Sequence, residues 1–233
     1  MVFCIQNTMK LIPPQPALAT QVHDAVLEAI CSGALAPGER VTQEDLATRF
    51  GVSRQPVLQA LMLLRQGGFL VDAGRKGVMV APLDAAFVRN VYGVRAALDG
   101  AAARLAAREA DAGAIETGRR LVERGRATLD DDSTRRTIEA DIRFHQWLYE
   151  ASGNPLIGET AALHLRHVSR IMGAVLRTAA GNAHAIWDEH AAICEAIAAR
   201  DPDLAERLAR RHAEDAATDL AVRLRAPATL AAE

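Results

Sequence analysis

The chain of 233 residues is half hydrophobic but only 4% aromatic, with 27 basic against 29 acidic side chains and a formal charge of −2. That length suits two domains better than one, and the wealth of Ala and Leu favours packed helices over sheets. No apolar run approaches the ~18–20 residues that span a bilayer, and the near-neutral charge advertises no polyanionic partner.

The opening stretch MVFCIQNTMKLIPPQPALAT lacks the apolar core of a secretory signal, and residues 1–17 read as a flexible leader. Three scattered cysteines, Cys4, Cys31 and Cys194, form no CxxC pair and fit space-filling thiols in a reducing cytoplasm. Seven basic and six acidic residues fall in 1–82, and twenty and twenty-three beyond. Any nucleic-acid contact therefore rests on where a few arginines point.

Over 18–32, Val22, Ala25, Val26 and Ile30 share one helical face that ends at Gly33. Thr42 opens a second helix, with Asp45 three residues on as in a capping box; Leu46, Ala47 and Phe50 point inward, and Gly51 ends it. Ser53 opens a third, with Pro56 in its first turn, where a missing N–H does little harm. After Gly67-Gly68, FLVD and GVMVA predict a hairpin with a basic tip. Residues 18–81 thus read as a winged helix-turn-helix.

On the third helix, Val57, Ala60, Leu61 and Leu64 form the buried stripe, leaving Ser53, Arg54, Gln55, Leu58, Gln59 and Met62 outward or at the edge. The N-terminal part of such a helix enters the major groove. Ser53 and Gln55 suit phosphates or base edges, and Arg54 can pair bidentately with a guanine. Leu58 offers only apolar contact, for example to a thymine methyl, or packs on the wing.

From Asp84 onward only helices are predicted. Phe87, Val91, Val94, Leu98, Ala102 and Leu105 recur at helical spacing, and further helices fall near 111–129, 133–152, 155–179, 183–200 and 202–225. The fold class is mainly α: a winged helix-turn-helix with a small β-hairpin wing, then an all-α helical bundle over 84–226.

Within IEADIRFHQWLYEAS, Asp141 and His145 lie inside the apolar stripe of Ile138, Ile142, Leu148 and Tyr149, four residues apart and so on one side. His190 sits amid Ile186, Trp187, Ile193, Cys194 and Ile197, and His212 amid Leu204, Leu208, Ala209 and Ala216. A carboxylate and three imidazoles turned into a core are costly unless they satisfy one another. One divalent cation satisfies all four, and this donor set suits zinc, or nickel or another transition metal. The plainer alternative gives each histidine its own carbonyl or carboxylate partner. Cys194, one turn beyond His190, is assigned to packing, and His184 to the surface; His164 and His167 have weaker claims.

ERVTQEDLATRFGVSRQPVLQALMLLRQGGFLV followed by GRKGVMVAP resembles the GntR family of bacterial transcription regulators. The resemblance implies DNA contacts from Arg54 and from the wing residues Arg75, Lys76 and Gly77. Two positions depart from the family pattern: Leu58 replaces a usual arginine, and Glu44 stands where a basic residue is frequent. DIRFHQWLYEASGNPLI and DEHAAICEAIAARDPDLAERLARRH resemble the all-helical FCD ligand-binding domain of the FadR subfamily. There an aspartate and three histidines often hold a metal, which maps onto Asp141, His145, His190 and His212. A small carboxylate effector meeting the metal and an arginine on the domain's first helix maps onto Arg95, which an i, i+4 pair with Asp99 also explains.

The sequence therefore predicts a metabolite-responsive repressor, with no catalytic residues: a cytoplasmic homodimer on a pseudo-palindromic double-stranded DNA operator, with no membrane partner. A rival, a metal-dependent hydrolase-like enzyme, needs a general base; Glu189, the one sequence neighbour, lies about 100° round the helix from His190. A metal-free regulator holding an acyl ligand in the same fold leaves the four metal-type residues unexplained.

Overall fold

The computed structural model describes residues 17–74, 77–130, 133–176 and 183–225. The chain begins with α1 (Leu18–Cys31), β1 (Arg40–Val41), α2 (Gln43–Phe50), α3 (Arg54–Gln66), β2 (Leu70–Asp72) and β3 (Val78–Val80). Six helices follow: α4 (Ala85–Glu109), α5 (Ala112–Ala127), α6 (Thr134–Ala151), α7 (Pro155–Val175), α8 (Ala183–Ala198) and α9 (Pro202–Arg225). The predicted leader 1–17 lies outside the described residues except for Ala17, as do the wing-tip residues Arg75 and Lys76.

Local chemistry sets the winged domain. Thr42 caps α2 by accepting the Asp45 N–H at 3.1 Å, while its hydroxyl donates to the Asp45 carboxylate at 2.6 Å. Gly51 ends α2 in the left-handed region at φ 65°. Ser53 occupies the N-cap of α3, but its side chain makes no capping bond. Val57, Ala60, Leu61 and Leu64 are buried as predicted, against Val22, Val26, Leu27 and Ile30 of α1. Leu27 takes the inward place expected of Ala25, which is exposed.

The wing is a three-stranded antiparallel sheet in the order β1-β3-β2, with Val41 opposite Val78 and Leu70 opposite Val80. The sequence reading missed β1, because two residues are too short to show a period of two. Gly77 has φ 90°, and a Cβ there would press on the Val41 carbonyl at 3.0 Å. A glycine is what lets the wing close on β1.

In the helical domain, α4 and α9 run against each other along alanine faces: Ala102, Ala103 and Ala106 on one, Ala205, Ala209 and Ala213 on the other, all buried. Small side chains allow the two backbones to approach closely. Val94, expected within the α4 stripe, is 40% exposed; α4 is covered by α6, α7, α8 and α9, and the buried arc runs instead through Val88, Tyr92, Arg95, Ala96 and Asp99.

The core of this domain falls into two apolar clusters. One holds Val88, Tyr92, Ile138, Ile171 and Leu220; the other holds Ala106, Phe144, Leu148, Ile193 and Ala205. On α4, α6 and α9 alike, buried polar residues stand between the two clusters: Arg95 and Asp99, Asp141, and His212. The sequence thus places a charged layer at one level of three helices, inside the fold.

Candidate metal centre and nucleic-acid interface

Asp141 and His145 of α6, His190 of α8 and His212 of α9 meet in that layer, each 5% exposed or less. His190 Nε2 lies 3.3 Å from His145 Nε2 and 3.2 Å from His212 Nε2. Asp141 Oδ1 stands 3.6 Å from His190 Nε2 and 3.9 Å from His145 Nε2. One donor atom from each residue therefore falls within 4.8 Å of every other. Donors sharing a first-row divalent ion at ~2.0–2.2 Å stand roughly 3–3.5 Å apart, so the spacing fits such an ion.

The surroundings fix which nitrogen faces the centre. His212 Nδ1 donates to Glu189 Oε2 at 2.7 Å. His145 Nδ1 lies 3.2 Å from Asp99 Oδ2, close but without full hydrogen-bond alignment. Carboxylates on the Nδ1 side turn the Nε2 atoms toward the centre, where that of His145 meets the Arg95 guanidinium. Burial, then the neighbouring His212 and His145 rings, hold His190 well below the usual histidine range. Burial, then Arg95, lowers His145 as well. The Asp141 Oδ2 atom is buried and has no hydrogen-bond partner among the described residues. Three imidazole nitrogens around a carboxylate oxygen that lacks a hydrogen-bond partner are a donor set that a cation completes.

Arg95 is 2% exposed, and its Nε donates to Asp99 Oδ2 at 3.2 Å. Its Nη2 is pressed against His145 Nε2 and lies 3.8 Å from Asp141 Oδ2. Burial opposes the Arg95 charge, but Asp99 and Asp141 outweigh it and raise its pKa. Asp99 accepts the Tyr149 hydroxyl at 2.5 Å; burial alone would raise its pKa, yet His145, Arg95 and Tyr149 hold it at about 2. The i, i+4 pair expected with Asp99 forms, and it aims the other end of the guanidinium at the cluster.

A cavity of about 290 Å³ opens beside this layer. Arg95, Asp141 and His212 line it together with Met172, Leu176 and Trp187. Sequence reasoning missed two supporting groups. Tyr149 reads as one more apolar-stripe residue until its hydroxyl is seen on Asp99. Glu189 is poorly aimed for a base at His190 in the sequence, and in the fold it bonds the His212 ring on the neighbouring helix. Cys194 does not join the cluster; its thiol turns to the Ile115 carbonyl at 3.9 Å. His184 is exposed, and His167 lies elsewhere, at the junction with the winged domain.

On the winged domain, Ser53, Arg54, Gln55, Leu58 and Gln59 are all exposed along the start of α3. Leu58, 41% exposed, borders a shallow groove with Val41, Gly77 and Val78 at the base of the wing. Two contacts organise the head of the helix. Gln43 Nε2 donates to the Arg54 carbonyl at 2.6 Å, and Arg54 Nη2 lies 2.9 Å from Glu44 Oε1. Glu44, noted in the sequence only as a departure, is thus the partner of the guanidinium.

A family model described as bacterial regulatory proteins, gntR family, matches residues 18–80, and one described as FCD domain matches residues 90–215. The HTH-type transcriptional regulator YdhC of Bacillus subtilis is 28% identical over 88% of this chain and 92% of its own. The HTH-type transcriptional repressor RspR of Escherichia coli is 26% identical over 88% of this chain and 90% of its own. Among solved structures, E. coli McbR/YncC superposes with a TM-score of 0.78 at 18% identity, covering 90% of this chain and all of that one, a likeness of fold. Among the described residues, no helix is long and apolar enough to cross a membrane.

Proposed function

The chain belongs to the GntR family of bacterial regulatory proteins, with an FCD domain, and is a DNA-binding transcriptional regulator rather than an enzyme; from that premise we propose that it is a cytoplasmic homodimeric repressor of the FadR subfamily, released from a pseudo-palindromic operator by a small carboxylate bound at a divalent-metal centre. The observation that carries this reading is the meeting of three Nε2 atoms and an Asp141 oxygen at one buried point, with Arg95 at its edge. Asp141, His145, His190 and His212 would hold the ion, zinc or another transition metal. When bound, such an ion supplies a Lewis-acidic position for a carboxylate.

Arg95 supports an anionic effector on electrostatic grounds. Its guanidinium and a metal ion are both cations in a buried layer, and an anion between them relieves their repulsion. The cavity, at about 290 Å³, matches a small acid and falls at the low end for larger ligands. That size speaks against a bulky acyl chain. Repression is supported by the name of RspR.

For the DNA side, we assign Arg54 to a guanine edge, Ser53, Gln55 and Gln59 to phosphates or base edges, and Leu58 to a thymine methyl. Arg75, Lys76 and Gly77 of the wing are assigned to phosphates or the minor groove. Working boundaries are 18–81 for the DNA-binding domain and 84–226 for the effector and dimerisation domain. The test is mass spectrometry of gently purified full-length protein under non-denaturing conditions. One metal ion per chain, with or without a small acid, supports the reading; a metal-free chain prepared without chelators overturns it.

A further inference from the structure

Helix α7 shows two faces to two parts of the molecule. Met172 and Leu176 line the cavity beside the metal cluster. Roughly 140° around the helix, His167, Arg170 and Gly173 face the winged domain and the segment that leads out of it. His167 Nε2 donates to the Gly67 carbonyl at 2.9 Å; its ring stacks on Phe69 at 4.2 Å and meets the edge of Phe87 at 5.2 Å. Arg170 Nη2 donates to the Ala81 carbonyl, and its guanidinium lies 5.9 Å from the Phe87 ring centroid. At Gly173, a Cβ would collide with the Cys31 carbonyl, so the end of α1 rests directly on α7.

The two side chains at this joint are unequal. His167 is bonded through Nε2 and stacked on Phe69, with Nδ1 its one buried atom lacking a partner among the described residues, and this neutral ring is well placed to hold the domains together. Arg170 is 2% exposed, yet its Nε and Nη1 have no hydrogen-bond partner and no carboxylate pairs with it among the described residues. Burial pulls its pKa down to about 10. A buried cation held only by one carbonyl and a ring face, with no carboxylate beside it, costs free energy that hydration would return. The same contact surface thus contains one group that favours docking and one that favours release.

We propose that His167 and Arg170 are positioning residues that carry the state of the effector cavity through α7 to the winged domain, in a joint built to open: His167 holds it closed and the unpaired Arg170 favours its opening. The inference rests on the reading that a ligand at the metal cluster governs DNA affinity. Ordering Met172 and Leu176 on one face of α7 would shift His167 and Arg170 on the other, because a packed helix moves as a unit. A ligand shifts this equilibrium only if it prefers one of the two arrangements.

Hydrogen exchange of the full-length protein, with and without zinc, tests it with two variants expected to move in opposite directions. Arg170→Met removes the unpaired charge and keeps an apolar filler; it should slow exchange of residues 64–69 and 78–81 by ~10-fold. Zinc should still bind this variant but no longer alter exchange in those segments, as it does in the wild type. His167→Ala should speed exchange there while the buried α4 core, residues 102–107, exchanges as before. Equal exchange in all three proteins would overturn the proposal, as would a zinc-dependent change that persists undiminished in Arg170→Met. A wild type that takes up no zinc removes the metal reading instead, and the zinc-free comparison of the two variants still decides the joint.

Discussion

Glu189 Oε2 accepts the Nδ1 proton of His212 at 2.7 Å and so directs the Nε2 atom of that ring toward His190, 3.2 Å away. A carboxylate behind a ligating imidazole fixes its tautomer and raises its basicity. Glu189→Gln keeps an acceptor but loses the charge, and Glu189→Ala loses both. Metal affinity should fall by ~10-fold in the first and up to ~100-fold in the second. Competition with a chromogenic chelator measures it; equal affinity in all three proteins means that packing alone orients His212.

At the DNA face, Arg54→Ala should cost ~1–3 kcal/mol at the cognate site and much less on random DNA. Glu44→Gln removes the anion paired with Arg54, so binding to random DNA should tighten while sequence preference weakens. Leu58→Arg should change the selected motif, since it adds a guanine-reading group to an apolar position. Replacing Arg75 and Lys76 with Ala should weaken binding to all sequences and flatten its salt dependence. Binding selection and salt titration read these effects, and an unaltered motif in Leu58→Arg would mean that this side chain never meets the bases.

Two glycines predict opposite stabilities. A Cβ at Gly125 would run into the Trp187 ring, whereas at Gly93 nothing lies within 4 Å. Both sit in helices. Gly125→Ala should therefore lose ~1–3 kcal/mol through overpacking, and Gly93→Ala should gain up to ~1 kcal/mol from helix propensity. Urea unfolding distinguishes them; a neutral Gly125→Ala would mean that Trp187 can move aside. Because Trp187 also walls the cavity, this variant should alter ligand binding as well.

The joint also predicts a pH dependence. Burial pulls His167 down to about 4; the Gly67 carbonyl opposes this, and Arg170 and His164 add to it. The unfolded chain, with a histidine near ~6.5, therefore takes up the proton first. Stability from His167 is complete above about pH 6.5 and drains away as pH falls toward 4, by ~1–3 kcal/mol. His167→Phe should lose less stability between pH 7 and pH 5 than the wild type, because the difference between the two proteins isolates this ring. Equal losses would contradict the assignment.

The helices and the four-residue cluster were legible because each rests on a period. Polar residues at helical spacing inside apolar stripes announce burial, and Asp141, His145, His190 and His212 all proved buried together. What escaped depends on pairs of elements. Glu189 is half-exposed and lies off the buried face of α8, so only the neighbouring helix reveals its role. Arg170 and His167 look like ordinary members of a long helix until the winged domain is laid on them. β1 exists only through its pairing with β3, and Val94 was misplaced because the packing around α4, not its own pattern, decides which arc is covered.

The measurement that bears most directly on the central claim is metal content determined beside operator titrations, in the wild type and in His190→Ala. The account predicts about one divalent ion per wild-type chain and none in the variant. It also predicts that effector-free operator binding survives in His190→Ala with its helical content intact, while candidate small acids release only the wild type. A wild type that responds to an acid without any metal, or a His190→Ala protein that keeps its ion and its full response, would contradict it.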